Sequence, residues 1–460
     1  MKELLELANF IENFNLEKVG KDVVEATKLC TLDSVGVTLG AKDDKMLQSI
    51  KKVYDTYDEN NNGRITLWGT DDKNNLRSAV FFNSMMGHIL DFDDVHTNSK
   101  THIGIVVVPA AWALCEYLNK SGKEFMEAVI CGYEAMSRIG MGFGVSSHRN
   151  RGWHVTGTAG IFGAAAACAK LFEFDSNKIM DVFGIAGTQS SSTWAFSSDG
   201  ATNKILHPGK AAANGLESCM LALGGMKGSH NILDAKDGGI FPMMSDEYDY
   251  FAVSKDLGKI YEILNVDKRP YPCSRSTHCA IDAALYLKKN NHIDNKNIDK
   301  IIVKTYSVGV KQCGESEASK NPTLPSDAKF SIPYTVATAM INNNVGLDDF
   351  SSNAITGENV KDLLKKVEVL EGKKFTDRYP SNWGCEMEVT TKDGVVYSTE
   401  IVDASGSLSS PLSKEQVLNK VYSCCNQYDK IWLEDIANKI MNLENMKSMI
   451  SLSYPIKSVV

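Results

Sequence analysis

Apolar residues recur every three or four positions through the first half of the chain, the spacing of one helix face. ELLELANFIENF (3–14) and KDVVEATKLCTLDSVGVTL (21–39) show it, and both predict helices. GTAGIFGAAAACAKLF (157–172) is Gly and Ala on nearly every face, which suits a crowded interior where backbones approach closely. GKAAANGLESCMLALGGMKG (209–228) is similar, and its Gly-Gly pair marks an end. The period changes after KRPYPCSRSTHC (268–279). A helix is expected in HCAIDAALYLKKN, a strand over 298–310, a helix over 329–342, and strands in KVEVLEG and CEMEVTTKDGVVYSTEIVDA. In the last of these, Asp393-Gly394 between alternating runs predicts a hairpin. Ser413 and Gln416 form a capping-box pattern that opens a final helical segment.

These periods predict a mainly α protein: a large all-helical domain with an inserted smaller α+β lid domain. The expected division is 1–265 for the first helical segment, 266–404 for the α+β domain, and 405–460 for the returning helical segment. A length of 460 residues agrees with more than one core. A crevice between two such domains is a common place for a small-molecule site.

Bulk composition then removes whole classes of function. A net charge of −8 argues against nonspecific nucleic-acid binding, which needs a basic face. An anionic substrate must therefore be met by local cations. The N-terminus is acidic and amphipathic rather than a leader, and the longest apolar run (103–118) is too short and interrupted to span a bilayer. Eleven cysteines without a C-x-x-C pair fit reduced thiols, so the expected location is cytoplasmic, with no membrane and no nucleic-acid partner.

Four polar clusters interrupt the apolar pattern. ILDFDDVHTNSKTHIG (89–104) carries Asp91, Asp93, Asp94, His96 and His102. HRNRGWHVTGT (148–158) carries His154, with Thr156 or Thr158 able to cap the helix that follows. DGATNKILHPGKAA (199–212) holds Lys204, His207 and Lys210, and DKRPYPCSRSTHCAID (267–282) holds Arg269, Ser274, Arg275 and His278. Lys and Arg bind carboxylates, and histidines move protons near neutral pH. Together these residues suit proton abstraction beside a carboxylate, where cations stabilise the added negative charge. Each cluster also has a structural reading. DFDD alone reads as a helix cap, Lys204 as a solvated charge, Arg269 as an inter-domain tie, and His88 and His292 as structural. Asp and His together also raise a metal site, but their spacing matches no recognised metal motif.

Read together, LDFDDVH (90–96), GWHVTGTAGIFGAAAACAKLF (152–172), AGTQSS (186–191), KILHPGKAAANG (204–215), RPYPCSRSTHCAIDAAL (269–285) and AKFSIPYTVATAM (328–340) resemble the MmgE/PrpD family. That family contains 2-methylcitrate dehydratase, cis-aconitate decarboxylase and iminodisuccinate epimerase. The resemblance implies a homodimer and no cofactor or metal. It also implies a site containing Asp91, His102, His154, Lys204, Arg269 and a residue between Ser274 and His278. Three positions depart from the family pattern: Val95 where Thr is common, Ile103 where Pro often follows the histidine, and Arg269 where many members have Lys. The expected activity is a cofactor-independent lyase on a small di- or tricarboxylate, of the 2-methylcitrate dehydratase type. Lys204, His207, Arg269, Ser274 and Arg275 would bind substrate. His102 or His154 would take the proton, with Asp91 assisting and His278 as the acid for the leaving hydroxyl. A decarboxylase, an epimerase and a non-catalytic carboxylate-binding protein are the alternatives.

Overall fold

The computed structural model describes residues 1–57, 63–198 and 201–452. It is mainly helical and divides into two compact units. The first comprises Met1–Ile89, Asp93–Lys268 and the segment from Ser413 onward; the second comprises Leu90–Phe92 and Arg269–Leu412.

The first unit is built on helices whose interior faces carry small residues. Val155–Leu171 is buried along almost its whole length. It packs against Gly122–Gly142 on one side and Leu206–Leu223 on another. Glycine makes this approach possible. A Cβ at Gly215 would stand 2.6 Å from Ala164 Cβ and 2.7 Å from the Ala165 backbone nitrogen. Leu206–Leu223 ends at the Gly-Gly pair, with Gly225 at φ +99°. The segment after residue 413 is integral to this unit, for Lys414–Cys424 lies along Lys21–Gly40. There Lys420 Nζ meets Asp33 2.6 Å away, both buried. The unit is not purely helical. Val95–His96 pairs antiparallel with Val266–Asp267, and Ile65–Thr66 with Lys73–Asn74.

The second unit contains a four-stranded sheet in the order Val367–Glu371, Ile298–Thr305, Cys385–Thr391, Val396–Ile401. The first pair is parallel and the other two are antiparallel. Along Cys385–Thr391 buried residues alternate with half-buried ones, so one face carries Cys385, Met387 and Val389 into the core. Arg275–Asn291 and Ile332–Asn342 supply the helical side of that core. The Asp393-Gly394 turn forms as expected, with Gly394 at φ +82°. The strand expected through residue 310 stops at Thr305, and Ser307–Cys313 is helical.

Unit boundaries fall at 268/269 and 412/413, where the pattern suggests 265/266 and 404/405. All eleven cysteines are free and buried. Among the described residues no helix is long and apolar enough to cross a membrane.

Candidate functional site

Within the first unit four histidines gather from four separate stretches of chain. His88 ends the Leu76–Ile89 helix, His102 precedes Gly104–Leu118, His154 is the N-cap of Val155–Leu171, and His207 opens Leu206–Leu223. One carboxylate oxygen, Asp93 Oδ2, lies 3.0 Å from His88 Nδ1 and 2.9 Å from His102 Nδ1. A second pair forms beside it, with His154 Nδ1 2.8 Å from His207 Nδ1. Ring centroids of His102 and His154 are 6.5 Å apart, and those of His88 and His154 6.4 Å.

Local chemistry holds the loop that carries His102. His96 Nδ1 bonds Ser99 Oγ (2.8 Å) and its Nε2 bonds Glu262 Oε2 (3.0 Å). The backbone N–H of His102 donates to Thr156 Oγ1 at 3.1 Å, which ties this loop to the start of the Val155–Leu171 helix. Thr156 therefore does not cap that helix, nor does Thr158, whose hydroxyl bonds His148 Nε2 at 3.0 Å. The Asp-rich run splits its work. Asp94 performs the expected capping: its Oδ1 accepts the Gly104 N–H at 2.9 Å and its Oδ2 accepts from Tyr133 at 2.7 Å. A side chain at Gly104 would collide with Ser34, Asp94 and Tyr133. Asp93, expected to cap or hold the loop, is instead the carboxylate on the two imidazoles.

Burial makes these imidazoles poor proton carriers when left alone. Removal from water lowers His88 to about 4 despite the pull of Asp93. It also lowers His207 to about 4, with Lys204 adding to the effect. His154 is held well below the ordinary histidine range by burial, then by the charges of His207, His88, His102 and Lys204. The Lys204 ammonium thus acts on three rings at once, and Lys204 is half-buried rather than a solvated surface charge. Lys210 is exposed, its ammonium 5.8 Å from the Phe81 ring centroid.

An aromatic wall completes the cluster. Trp194 and Phe196 stand 5.1 and 6.1 Å from the His154 ring, and Arg149 lies over the Trp194 face at 4.2 Å. Neither aromatic stands out in the sequence, and His88 reads there as structural. The one signal was the five-residue step from His88 to Asp93, which has no meaning until the chain turns back. Asp199 and Gly200, at the start of the Lys204 cluster, lie outside the described residues.

His88, Asp93 and His102 are donors of the kinds that hold divalent ions, and their ligand atoms lie within 4.8 Å of one another. The distances decide the reading. Ligand atoms around a tetrahedral ion with bonds of about 2.0–2.1 Å stand roughly 3.3 Å apart. Here both nitrogens approach the same oxygen to 3.0 and 2.9 Å, closer than ligands stand around such an ion; His88 Nδ1 is hydrogen-bonded to that oxygen and His102 Nδ1 makes an ion-pair contact with it.

The second unit holds the two candidate arginines, Arg269 and Arg275. Arg269 is almost fully buried, its Nη1 3.3 Å from the Cys273 carbonyl. Ser274 is the N-cap of Arg275–Asn291, and its N–H donates to the Lys329 carbonyl. Arg275 Nη1 donates to the Ser405 carbonyl and lies 3.1 Å from His278 Nδ1. Because a guanidinium can only donate, His278 Nδ1 must accept, which puts the ring proton on Nε2 toward the Cys273 carbonyl at 3.2 Å. Both ring nitrogens of His278 are therefore engaged inside this unit. That suits ordering Arg275 better than delivering a proton. Asp91 also belongs to this unit, in the left-handed backbone region at φ +54°, where its charge acts on the Cys273 thiol. The carboxylate on His102 is Asp93, not Asp91.

A hydrogen-bonded imidazole cluster in the field of a lysine, on tightly packed small-residue helices, is chemistry suited to an enzyme that moves protons. The comparisons narrow this class. The chain belongs to the MmgE/PrpD family: its N-terminal domain matches residues 5–250 and its C-terminal domain residues 271–439. It is a lyase of that family. A cis-aconitate decarboxylase of Aspergillus terreus is 24% identical, over 98% of this chain and 96% of that protein. The Mus musculus cis-aconitate decarboxylase is 24% identical, over 90% and 84%. A mitochondrial 2-methylcitrate dehydratase of Yarrowia lipolytica is 21% identical, over 86% and 78%.

Proposed function

We propose that this protein removes a small group from a di- or tricarboxylate by proton transfer at a carbon next to a carboxylate, without a cofactor. The observation that carries this reading is His102 held on Asp93 beside His154, all within the field of Lys204. Lys204 binds a substrate carboxylate and stabilises the charge that builds on the substrate. Arg269, Ser274 and Arg275 keep the carboxylate-binding role that the family resemblance gives them, and Asp91 is kept as a group of the site. The acid role does not fall to His278, whose ring nitrogens are already engaged.

Decarboxylation of a cis-aconitate-like substrate replaces dehydration as the leading version, because more of the similar proteins carry that activity in their names. In it the C–C electron pair stays on the substrate carbon as carbon dioxide leaves, and an imidazolium protonates that carbon. Dehydration of a 2-methylcitrate-like substrate is the second reading, supported by the more distant dehydratase. A screen of small di- and tricarboxylates in heavy water separates the versions by mass. Decarboxylation loses 44 mass units and gains deuterium, as expected from about one carbon dioxide per turnover. Dehydration loses water, and epimerisation exchanges deuterium without loss. No change in any compound of the panel would overturn the lyase reading. Dialysis against EDTA is expected to leave turnover unchanged, and loss restored by a divalent ion would reinstate the metal reading of His88, Asp93 and His102.

A further inference from the structure

The two candidate imidazoles are not equivalent, and their partners differ in kind. His102 Nδ1 faces a carboxylate oxygen at 2.9 Å. His154 Nδ1 faces another imidazole nitrogen at 2.8 Å. A carboxylate stabilises the imidazolium form of its partner, and its effect is largest in a buried pair. An imidazole partner does the opposite. Two Nδ1 atoms at hydrogen-bond distance share one proton, so one ring donates, the other accepts, and a second proton would break the bond.

We infer that Asp93 and His207 are positioning residues that divide the labour of the two imidazoles: Asp93 makes His102 the ring that carries the proton, and His207 keeps His154 a neutral hydrogen-bonding ring. This deepens the lyase reading and rests on it. With His102 Nδ1 held 2.9 Å from the Asp93 carboxylate, its chemistry passes through Nε2. As a base, Nε2 takes the substrate proton while the C–H electron pair stays on carbon; as an acid, it returns a proton to that carbon. In both directions the imidazolium is the form that Asp93 stabilises. His154 then contributes a fixed tautomer and no net charge, so it can orient a substrate oxygen without competing for the proton.

The charged and titratable groups acting on these rings are consistent with that division. His154 is subject to His207, His88, His102 and Lys204, all of which oppose its protonation. His207 is subject to Lys204, which has the same effect. His102 stands against Asp93, with His88 sharing the same oxygen and His154 nearby. His88, with His102 and Lys204 pushing it down, stays neutral and donates to Asp93. The Asp93 carboxylate faces both His88 and His102, and with His88 held neutral by burial it favours His102 as the ring that takes up the proton.

The test uses the full-length enzyme. Asp93→Asn removes the charge but keeps a group of the same size. The limb of the kcat/KM pH profile that His102 sets is expected to move to lower pH by about one unit or more. kcat falls about 100-fold at its new optimum while KM changes little, and Asp93→Glu recovers part of the loss. His207→Phe leaves that limb in place, lowers kcat, and is rescued by His207→Gln, which can again pair with His154 Nδ1. Because a buried variant can fail to fold, ring-15N spectra of the wild-type enzyme provide a second readout, assigned with His102→Asn and His154→Asn. His102 is expected to titrate, and His154 to keep one neutral tautomer throughout the acid range down to about pH 5. An unmoved pH profile in Asp93→Asn, or His154 protonating at higher pH than His102, overturns the inference. The spectra need no substrate, so failure of the carboxylate screen would overturn the lyase reading separately.

Discussion

The two units treat positive charge in opposite ways. The first gathers imidazoles whose charge is conditional: burial lowers His88, His148, His154 and His207, so each is neutral near pH 7. In the second the candidate cations are the guanidinium groups of Arg269 and Arg275, which stay charged at any pH and donate to the carbonyls of Cys273 and Ser405. Histidine in the two units behaves accordingly. His102 keeps a carboxylate partner, whereas His278 is locked between a guanidinium and a carbonyl. The contrast fits the proposed division, with proton movement in the first unit and the fixed charges of Arg269 and Arg275 in the second beside that of Lys204 in the first.

The largest effect that sharpens this contrast is on turnover. His102→Asn is expected to lower kcat by about 10²–10⁴-fold, the usual range for a removed acid–base group, and His154→Asn by less, with little change in KM in either. His278→Asn is expected to act mainly on KM through Arg275. Steady-state kinetics of the three variants decide it, and a kcat loss in His278→Asn as large as in His102→Asn would erase the distinction. Next in size is Arg275→Gln, which keeps a donor for Ser405 but removes the charge. A charge-assisted contact is worth about 1.5–3 kcal/mol, so KM is expected to rise about 10–100-fold with kcat nearly unchanged. An unchanged KM would remove Arg275 from substrate binding.

Stability against pH probes the same contrast without substrate. His88 and His207 sit at about 4 in the fold, against an ordinary value of 6.5. As pH falls below 6.5 the unfolded chain takes up protons that the folded one refuses. Stability present above 6.5 is thus lost as pH falls through 4, by at most about 1.4 kcal/mol per pH unit for each such histidine. His148 and His154, both lowered, add to this slope. Asp94, raised to about 6 by burial and then by Asp33, opposes it: its folded form keeps a proton that the unfolded form loses. Glu134, raised to about 7 by burial, opposes it as well. Denaturation midpoints measured from pH 7.5 to 4.5 should fall, and His207→Gln should flatten the slope. A flat wild-type profile would mean that the imidazoles are not held neutral.

How much of this was legible in the chain depends on the distance over which each feature is encoded. Local periodicity was enough for the Val155–Leu171 helix, the Asp393-Gly394 hairpin and the return of helix after residue 413. It erred where a strand passes into a helix with no breaker, at Tyr306. In the candidate site, the structure brings together His102, His154, Lys204 and His207, each of which lies in a polar interruption of apolar sequence. Asp93 reads as a cap or loop-holding group, because three aspartates in four positions look alike in sequence. Only the fold sends Asp94 to the Gly104 N–H and Asp93 to the histidines. His88 reads as structural because it ends an apolar helix, and its meaning depends on a partner that the turn at 90–92 brings back.

The smallest effect tests whether the two units respond separately. Ser413 caps Lys414–Cys424: its Oγ accepts the Gln416 N–H at 3.2 Å, while Gln416 Oε1 accepts the Ser413 N–H at 2.8 Å. Ser413 begins the segment that completes the first unit, one residue past the end of the second. Ser413→Ala removes one half of this capping box, which costs about 1 kcal/mol. Hydrogen exchange reads where that cost appears. Amides of Lys414–Cys424 and of the Lys21–Gly40 helix packed on it should exchange about fivefold faster, the equivalent of about 1 kcal/mol. Amides of the Ile298–Thr305 strand, in the core of the second unit, should keep their rates. Equal acceleration in both would mean that the units open together, and the division between a proton-moving unit and a charge-holding unit would then be one of chemistry without a matching division of stability.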